Sequence, residues 1–332
     1  MFISIIIPTL NCQKLISLCL KSISIQGFKN YEIIIVDGGS TDKTLNECRK
    51  YDCEILEPGY KENQEARRFF GVKKAKGDYI LFIDSDNILP DDNSLQKLIN
   101  PFRNNDFDVV ASFSKWYSYN NDANYIDKYF CLLGVNDPIT YYLNKNDRLP
   151  LGQNKINFNY KKIINFNNYD LIFFDKKKLP VLGANGYLIK KKFIDAVLPN
   201  QADEFFHIDI NFDILQHFKS DKLCFGFSNQ KIIHQSNQSL MKILKKRVSY
   251  WDMHTNLLSK KRRYRVFNGK EFNDIIKLIF FIISAITIIM PTYHSIKSYV
   301  KTKNKLWFIH PIICFSFFLA YSLSILRKIL KI

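Results

Sequence analysis

Blocks of apolar residues alternate with helix-patterned stretches over the first ninety positions. FISIII at 2–7 is a continuous apolar run stopped by Pro8, the pattern of a strand buried on both faces. Leu15, Leu18, Cys19, Ser22 and Ile23 then fall on one helical stripe. YEIIIVD at 31–37 is a second buried strand, ended by DGGSTD. Helix signals return at 43–50, a short strand is expected at 53–56, and 62–75 again reads as helix before the strand YILFID. Such alternation predicts a doubly wound α/β layer around a mostly parallel sheet. Ligands of these sheets sit at the carboxyl ends of the strands. The segments 8–11, 37–42 and 84–86 all fall at that edge.

From about 115 to 180 the texture changes to Tyr, Asn, Lys and Asp without a clean period, as in an irregular insertion. Order returns with GANGYLIKKKFI at 183–194, read as a glycine-rich turn leading into an amphipathic helix. A helix around 209–218 and a strand at 223–233 follow. Residues 278–296 and 306–326 hold 19 and 21 positions without a formal charge, long enough to cross a bilayer core. Pro291 interrupts the first, which can alternatively lie in the interface or re-enter. The resulting division is 1–114 for a nucleotide-binding half, 115–240 for an acceptor half, 241–274 for a basic juxtamembrane helical segment and 275–332 for two membrane helices.

Composition narrows the classes. Hydrophobic residues make up 47% and aromatic residues 15%, which excludes a disordered chain. The net charge of +17 raises nucleic acid, anionic membrane and phosphorylated ligands as partners. Its densest block, 242–265, abuts the first apolar span and no nucleic-acid motif accompanies it, so nucleic acid is not expected. A basic block there fits a cytoplasmic flank. Lys297, Lys301, Lys303 and Lys305 between the spans sit awkwardly with a simple hairpin, whose loop would then face outward. The seven cysteines form no CxxC pair, so reduced thiols are expected. Met1 leads directly into the first strand, and no leader is expected.

The sharpest chemical signal is YILFIDSDN. Asp84 and Asp86 close a buried strand as two like charges, which is costly without a cation. Two carboxylates at a strand end can hold Mg²⁺ or Mn²⁺ through oxygen; a turn with Asp86 capping the next helix is the plainer alternative. Taken together, IIIPTLN, EIIIVDGGSTDKT and EARRFFGVKKAKGDYILFIDSDN resemble the nucleotide-binding half of family-2 glycosyltransferases of the GT-A fold. GANGYLIKKKFI extends the resemblance beyond residue 90. The Gln-x-x-Arg-Trp signature of processive synthases is missing, and KKRVSYW is only a loose echo.

The resemblance implies roles by position. Pro8, Thr9 and Asn11 would line the nucleotide pocket, Asp37 would accept a hydrogen bond from the base, Asp84 would sit near the ribose, and Asp86 would hold the metal. Asp42 reads as a helix cap. Arg68 would approach the diphosphate, although Phe69 stands where the family carries Asn, leaving the register between Arg67 and Arg68 open. His234 resembles a late histidine that completes the metal or diphosphate site. The base of an inverting transfer would come from ADEFFHIDINFDIL, which lacks the common Glu-Asp pair. Asp209 is the choice, with Asp203 and Glu204 as alternatives. Asn136, Asp137, Arg148, Gly183 and Asn185 are acceptor-side candidates. The implied activity is metal-dependent, inverting transfer of a sugar from a UDP- or GDP-sugar to a lipid-linked or membrane glycan acceptor. The implied setting is a membrane-anchored chain with a cytoplasmic catalytic domain. The alternative is a membrane-tethered binding module that no longer catalyses.

Overall fold

The computed structural model describes every residue except 61–62, 157, 199–202, 253–261 and 331–332. It divides into two compact units. The first comprises residues 1–117 and 159–235; the second comprises 118–158 and 236–332. Residues 118–158 of the irregular middle therefore belong with the last helices and 159–180 with the first unit, so the units cut across the sequence-based boundaries.

The first unit is built on one sheet. Its strands are β1 (Ile3–Thr9), β2 (Tyr31–Asp37), β3 (Glu54–Leu56), β4 (Tyr79–Phe82), β5 (Asn87–Ile88), β6 (Asp108–Ser118), β7 (Lys162–Asn165), β8 (Tyr169–Phe173), β9 (Tyr187–Lys190) and β10 (Leu223–His234). The order is β3-β2-β1-β4-β9-β6-β10-β8-β7, with β5 paired to β10. The stretch β3-β2-β1-β4 is parallel. β9 runs antiparallel to both β4, with Ile80 opposite Ile189, and β6, and β8 runs antiparallel to both β10 and β7. The sheet is thus mixed, parallel where the apolar runs are continuous.

Helices α1 (Gln13–Ser24), α2 (Thr44–Cys48), α3 (Gln64–Lys74), α4 (Ser94–Ile99), α7 (Lys191–Val197) and α8 (His207–His217) connect these strands. On α1 the buried side is Ile16, Cys19, Leu20, Ser22 and Ile23, while Leu18 is exposed, a small rotation from the expected stripe. The segment expected as turn-then-helix is corrected: YLIK is strand β9, and the helix begins only at Lys191. Its apolar Tyr-Leu-Ile face is buried in the middle of the sheet, where ladder pairing overrides local preference. Gly186 precedes it at φ 66°, and a Cβ there would lie 2.7 Å from Ile232 Cδ1, so the turn requires glycine.

The second unit is helical: α5 (Tyr125–Leu133), α6 (Pro138–Tyr142), α9 (Leu240–Asp252), α10 (Phe272–Thr287), α11 (Ile289–Thr302) and α12 (His310–Leu330). The expected first span is not one straight helix. α10 and α11 meet at 88°. The break falls at Ile288, whose left-handed φ of 61° ends α10 with its N–H on the Ser284 carbonyl. Pro291 comes three residues later, in the first turn of α11, where its missing N–H leaves no helical bond unmade. One segment, Lys305–Arg327, is long and apolar enough to cross a membrane. Lys260 and Lys261 of the basic block lie outside the described residues.

Candidate active site

The carboxyl ends of β1, β2 and β4 carry the polar residues singled out in the sequence. Thr9 ends β1 directly opposite Asp37 at the end of β2, with Pro8 opposite Val36. The Thr9 hydroxyl donates to Asp37 Oδ1 at 3.0 Å. Asp37 also accepts from the Ser40 hydroxyl and from the backbone N–H groups of Gly39 and Ser40, at 2.6 to 2.8 Å. These four bonds fill the carboxylate's capacity and fix the 37–40 turn. Asn11 adopts φ 48° and accepts from Thr41 N–H at 2.8 Å, tying the loop after β1 to the loop after β2. Asp42 accepts from the Thr44 N–H at 2.9 Å and from its hydroxyl, one residue before the cap position of α2, which Lys43 occupies. Those bonds outweigh partial burial and keep its pKa below the usual carboxylate value.

Asp84 and Asp86 do not share one environment. Arg68 Nη2 donates to both Asp84 oxygens, at 2.7 and 2.9 Å, and Arg68 Nη1 donates to Glu65 at 2.9 Å. Gln64 donates to Asp84 as well, at 2.9 Å. Burial opposes the guanidinium charge, but Asp84 and Glu65 outweigh it and raise the Arg68 pKa. The charge expected of a metal beside Asp84 is therefore supplied by the protein. The register is also resolved: Arg68 reaches the strand end, whereas Arg67 donates to the Tyr60 carbonyl.

Asp86 faces a different partner. His234, the last residue of β10, is brought beside it because β10 pairs with β5 at His234 opposite Asn87. His234 Nε2 stands 3.5 Å from Asp86 Oδ2, both side chains partly exposed. The Gln235 N–H to Asp86 carbonyl bond, 3.0 Å, locks the register. Among the described residues no group of three or more His, Cys, Asp or Glu is gathered as a metal cage. A carboxylate and an imidazole nonetheless form a donor pair suited to Mn²⁺, with remaining positions open to water or phosphate oxygens.

Asp209 lies in the first turn of α8, wholly buried, and Phe206 rather than Asp209 occupies the cap position. The segment before α8 is fastened to α3: Phe205 N–H donates to the Glu65 carbonyl at 3.0 Å, and Glu204 accepts from Asn63 at 2.6 Å. Asn63 is itself the N-cap of α3. Glu204 thus serves as a clasp, while Asp203 is exposed. Asn185, in the turn after Gly183, donates to the Tyr117 hydroxyl at 3.0 Å, and the Tyr117 ring lies 5.6 Å from that of His234.

Three acceptor-side candidates fall in the second unit. Asp137 caps α6 through Ile139 N–H and accepts from Tyr321, and Arg148 is fully buried against Asp147. Asn136 directly precedes that cap. Sequence reasoning missed Gln64, Glu65, Ser40 and Tyr117. Gln64 and Glu65 stand one helical turn before Arg68, the spacing that lets their side chains meet it.

The geometry above is that of a GT-A transferase domain, and the comparisons agree. The model of glycosyl transferase family 2 matches residues 4–177, and the chain belongs to that family. It is 32% identical over 138 residues to the glycosyltransferase GlyG of Streptococcus pneumoniae, covering 40% of this chain and 44% of that one. It is also 32% identical over 136 residues to an Escherichia coli UDP-Glc:α-D-GlcNAc-diphosphoundecaprenol β-1,3-glucosyltransferase, WfaP, covering 40% and 50%. The chain thus spans half or less of the length of these curated relatives. Its fold is similar to that of a mannosyltransferase from Pyrobaculum calidifontis solved with GDP-Man and Mn²⁺, at TM-score 0.53 and 12% identity over 98% of this chain and 87% of that one.

Proposed function

We propose that the chain is a metal-dependent, inverting glycosyltransferase that moves a single sugar from a UDP- or GDP-sugar to a lipid-linked acceptor at a membrane. One observation carries this reading: Thr9, Asp37, Arg68, Asp84, Asp86 and His234, from five separate stretches of sequence, converge on one sheet edge. Relatives named for UDP-Glc and for diphosphoundecaprenol acceptors support the donor and acceptor classes.

In this reading Pro8, Thr9 and Asn11 line the nucleotide pocket, and Asp37 exchanges its Ser40 hydroxyl bond for an N–H of the base. Arg68 holds Asp84 in place through both carboxylate oxygens, oriented toward the ribose. Asp86 and His234 are the protein ligands of Mg²⁺ or Mn²⁺, which when bound supplies positive charge to the diphosphate. Asp209 takes the proton of the acceptor hydroxyl as its oxygen bonds the anomeric carbon and the bond to the diphosphate breaks. Gly183 and Asn185 shape the acceptor side, with Tyr117 fixing the Asn185 amide.

A catalytically silent binding module is the competing reading, motivated by the missing Glu-Asp pair and the Phe69 departure. The test is incubation of the full chain with UDP- and GDP-sugars, Mn²⁺ and polyprenyl-diphosphate saccharides, scored by mass of the lipid product. Transfer of one sugar, abolished in Asp209→Asn, supports the enzyme. Nucleotide binding without transfer or hydrolysis for any donor supports the silent module.

A further inference from the structure

α12 belongs to a segment long and apolar enough to cross a membrane, yet polar groups of the second unit meet it at several points along its length. At its start, His310 Nδ1 is bonded to the Tyr129 hydroxyl at 2.6 Å. Farther on, the Tyr321 hydroxyl donates to Asp137 at 2.8 Å and its ring meets Trp251 of α9 at 5.8 Å. Ser324 donates to Asp252, the last residue of α9, at 3.2 Å. From His310 to Ser324 is roughly 21 Å of helix at about 1.5 Å per residue. α9 packs Ile243 and Leu244 into the same cluster as Ile313 and Phe317 of α12, while Lys245 and Lys246 of α9 point to the exterior. If α12 crossed a bilayer, those exposed lysines would ride with it into hydrocarbon, where charge is strongly disfavoured. The six residues beyond Ser324 are too few to span alone.

α10 and α11 are equally unsuited to crossing. Their 16 and 14 residues measure about 24 and 21 Å, each short of a hydrocarbon core of roughly 30 Å, and they meet at 88°. Each nevertheless presents an apolar stripe outward at helical spacing. On α10 it is Ile276, Ile279, Ile283 and Ile286; on α11, Ile289, Tyr293, Ile296 and Val300. α12 continues the theme with Ile312, Phe315, Leu319 and Leu323, opposite the face that packs inward. An apolar surface of this extent on a chain's exterior marks a partner.

The surrounding charge selects that partner. Residues 272–332 carry eight Lys or Arg and one acid, Asp274, and that acid is buried against Lys145 at 2.7 Å. Lys297, Lys301, Lys303 and Lys305 are exposed beside the α11 stripe. A second copy would bring the same cationic rim into self-repulsion, whereas anionic headgroups complement it.

We propose that the second unit is an in-plane membrane anchor. α10, α11 and α12 lie at the headgroup–acyl boundary of a single anionic leaflet, stripes toward the lipid, and none of them crosses. The basic segments on either side of α10 and α11 then share one face of the membrane, which removes the conflict that a two-span hairpin creates. The inference deepens the membrane association proposed above and is independent of the chemistry at the sheet edge.

The test uses the full chain, with one epitope tag before Met1, one between α11 and α12 and one after Ile332, in sealed membranes digested by an impermeant protease from one side at a time. The in-plane anchor predicts that all three tags are cleaved from the same side. Any tag cleaved from the opposite side overturns it, because a helix then crosses. A second measurement is flotation of purified protein with vesicles of phosphatidylcholine with or without phosphatidylglycerol. Binding should need the anionic lipid and fall at least about tenfold in the pair Ile283→Asp and Leu323→Asp, with nucleotide binding by the first unit as the control for folding. Absence of flotation with a concentration-dependent dimer in sedimentation overturns the lipid as occupant.

Discussion

In the first unit, strands β1, β2 and β4 are apolar and buried, and the charged groups stand at their ends: Asp37, Asp84 and Asp86 with Arg68 and His234. In the second unit the arrangement is reversed. Lys145–Asp274 and Tyr129–His310 are pairs buried within it and Asp137–Tyr321 is partly buried, while isoleucine, leucine and phenylalanine face outward on three helices. Water surrounds the first pattern naturally: a dry sheet carries a polar edge where a charged ligand can be met by fixed dipoles and ions. The second pattern leaves its largest apolar area uncovered, which only a non-aqueous neighbour makes favourable. One chain thus presents two contrasting surfaces, a polar sheet edge and an apolar helical exterior.

The largest expected effect breaks the first half of that contrast. Asp86→Ala removes the carboxylate proposed to hold the metal, and sugar transfer in Mn²⁺ should fall by about 10³-fold or more, assayed by product mass. Asp209→Asn should lower kcat by about 10²-fold to 10³-fold while leaving the nucleotide Kd unchanged, measured by steady-state kinetics and calorimetry. Equal loss of both would instead make Asp209 a folding residue. Arg68→Met leaves the Asp84 carboxylate without its bidentate partner. It should cost about 3 kcal/mol in denaturant unfolding, somewhat discounted because Asp84 keeps a fifth of its side-chain exposure. Tyr117→Phe removes one hydrogen bond to Asn185 and should cost about 1 kcal/mol, read as a several-fold loss of kcat/KM.

The smallest effect sharpens the second half. Burial raises the Asp137 pKa above its ordinary value, against the opposing pull of Arg247 and the Tyr321 hydroxyl. A folded-state pKa above the unfolded one, about 3.9, means that the native state holds this proton more tightly. The associated stability is fully present below about pH 4 and is lost as pH rises through the elevated folded value. Thermal melts across that interval should show this slope, and Asp137→Asn should flatten it.

Much of the first unit was legible in the sequence because buried parallel strands announce themselves as continuous apolar runs. FISIII, YEIIIVD and YILF became β1, β2 and β4, and the polar residues after them reached one edge. The strand YLIK was hidden, since four apolar-rich residues followed by lysines satisfy a helical period as well as a strand's, and only pairing with β4 decides. The Arg68–Asp84 pair was likewise invisible, because it joins a helix and a strand 16 residues apart through side-chain reach. Residues 118–158 looked irregular for a related reason. Their apolar positions, such as Tyr129, Leu133 and Tyr142, are completed only by Trp307, Phe317 and Phe281 far along the chain. The break at Ile288 carried no Gly or Asn to mark it, and Pro291 drew attention to the wrong turn.

The most direct measurement is calorimetric titration of the full chain with UDP and GDP, with and without Mn²⁺, beside the Asp86→Ala variant. The account predicts tight binding of one nucleotide that depends on Mn²⁺ and is lost in the variant. Binding that is indifferent to both the metal and Asp86, or no binding by folded protein, would contradict a metal-dependent nucleotide-sugar site at this edge.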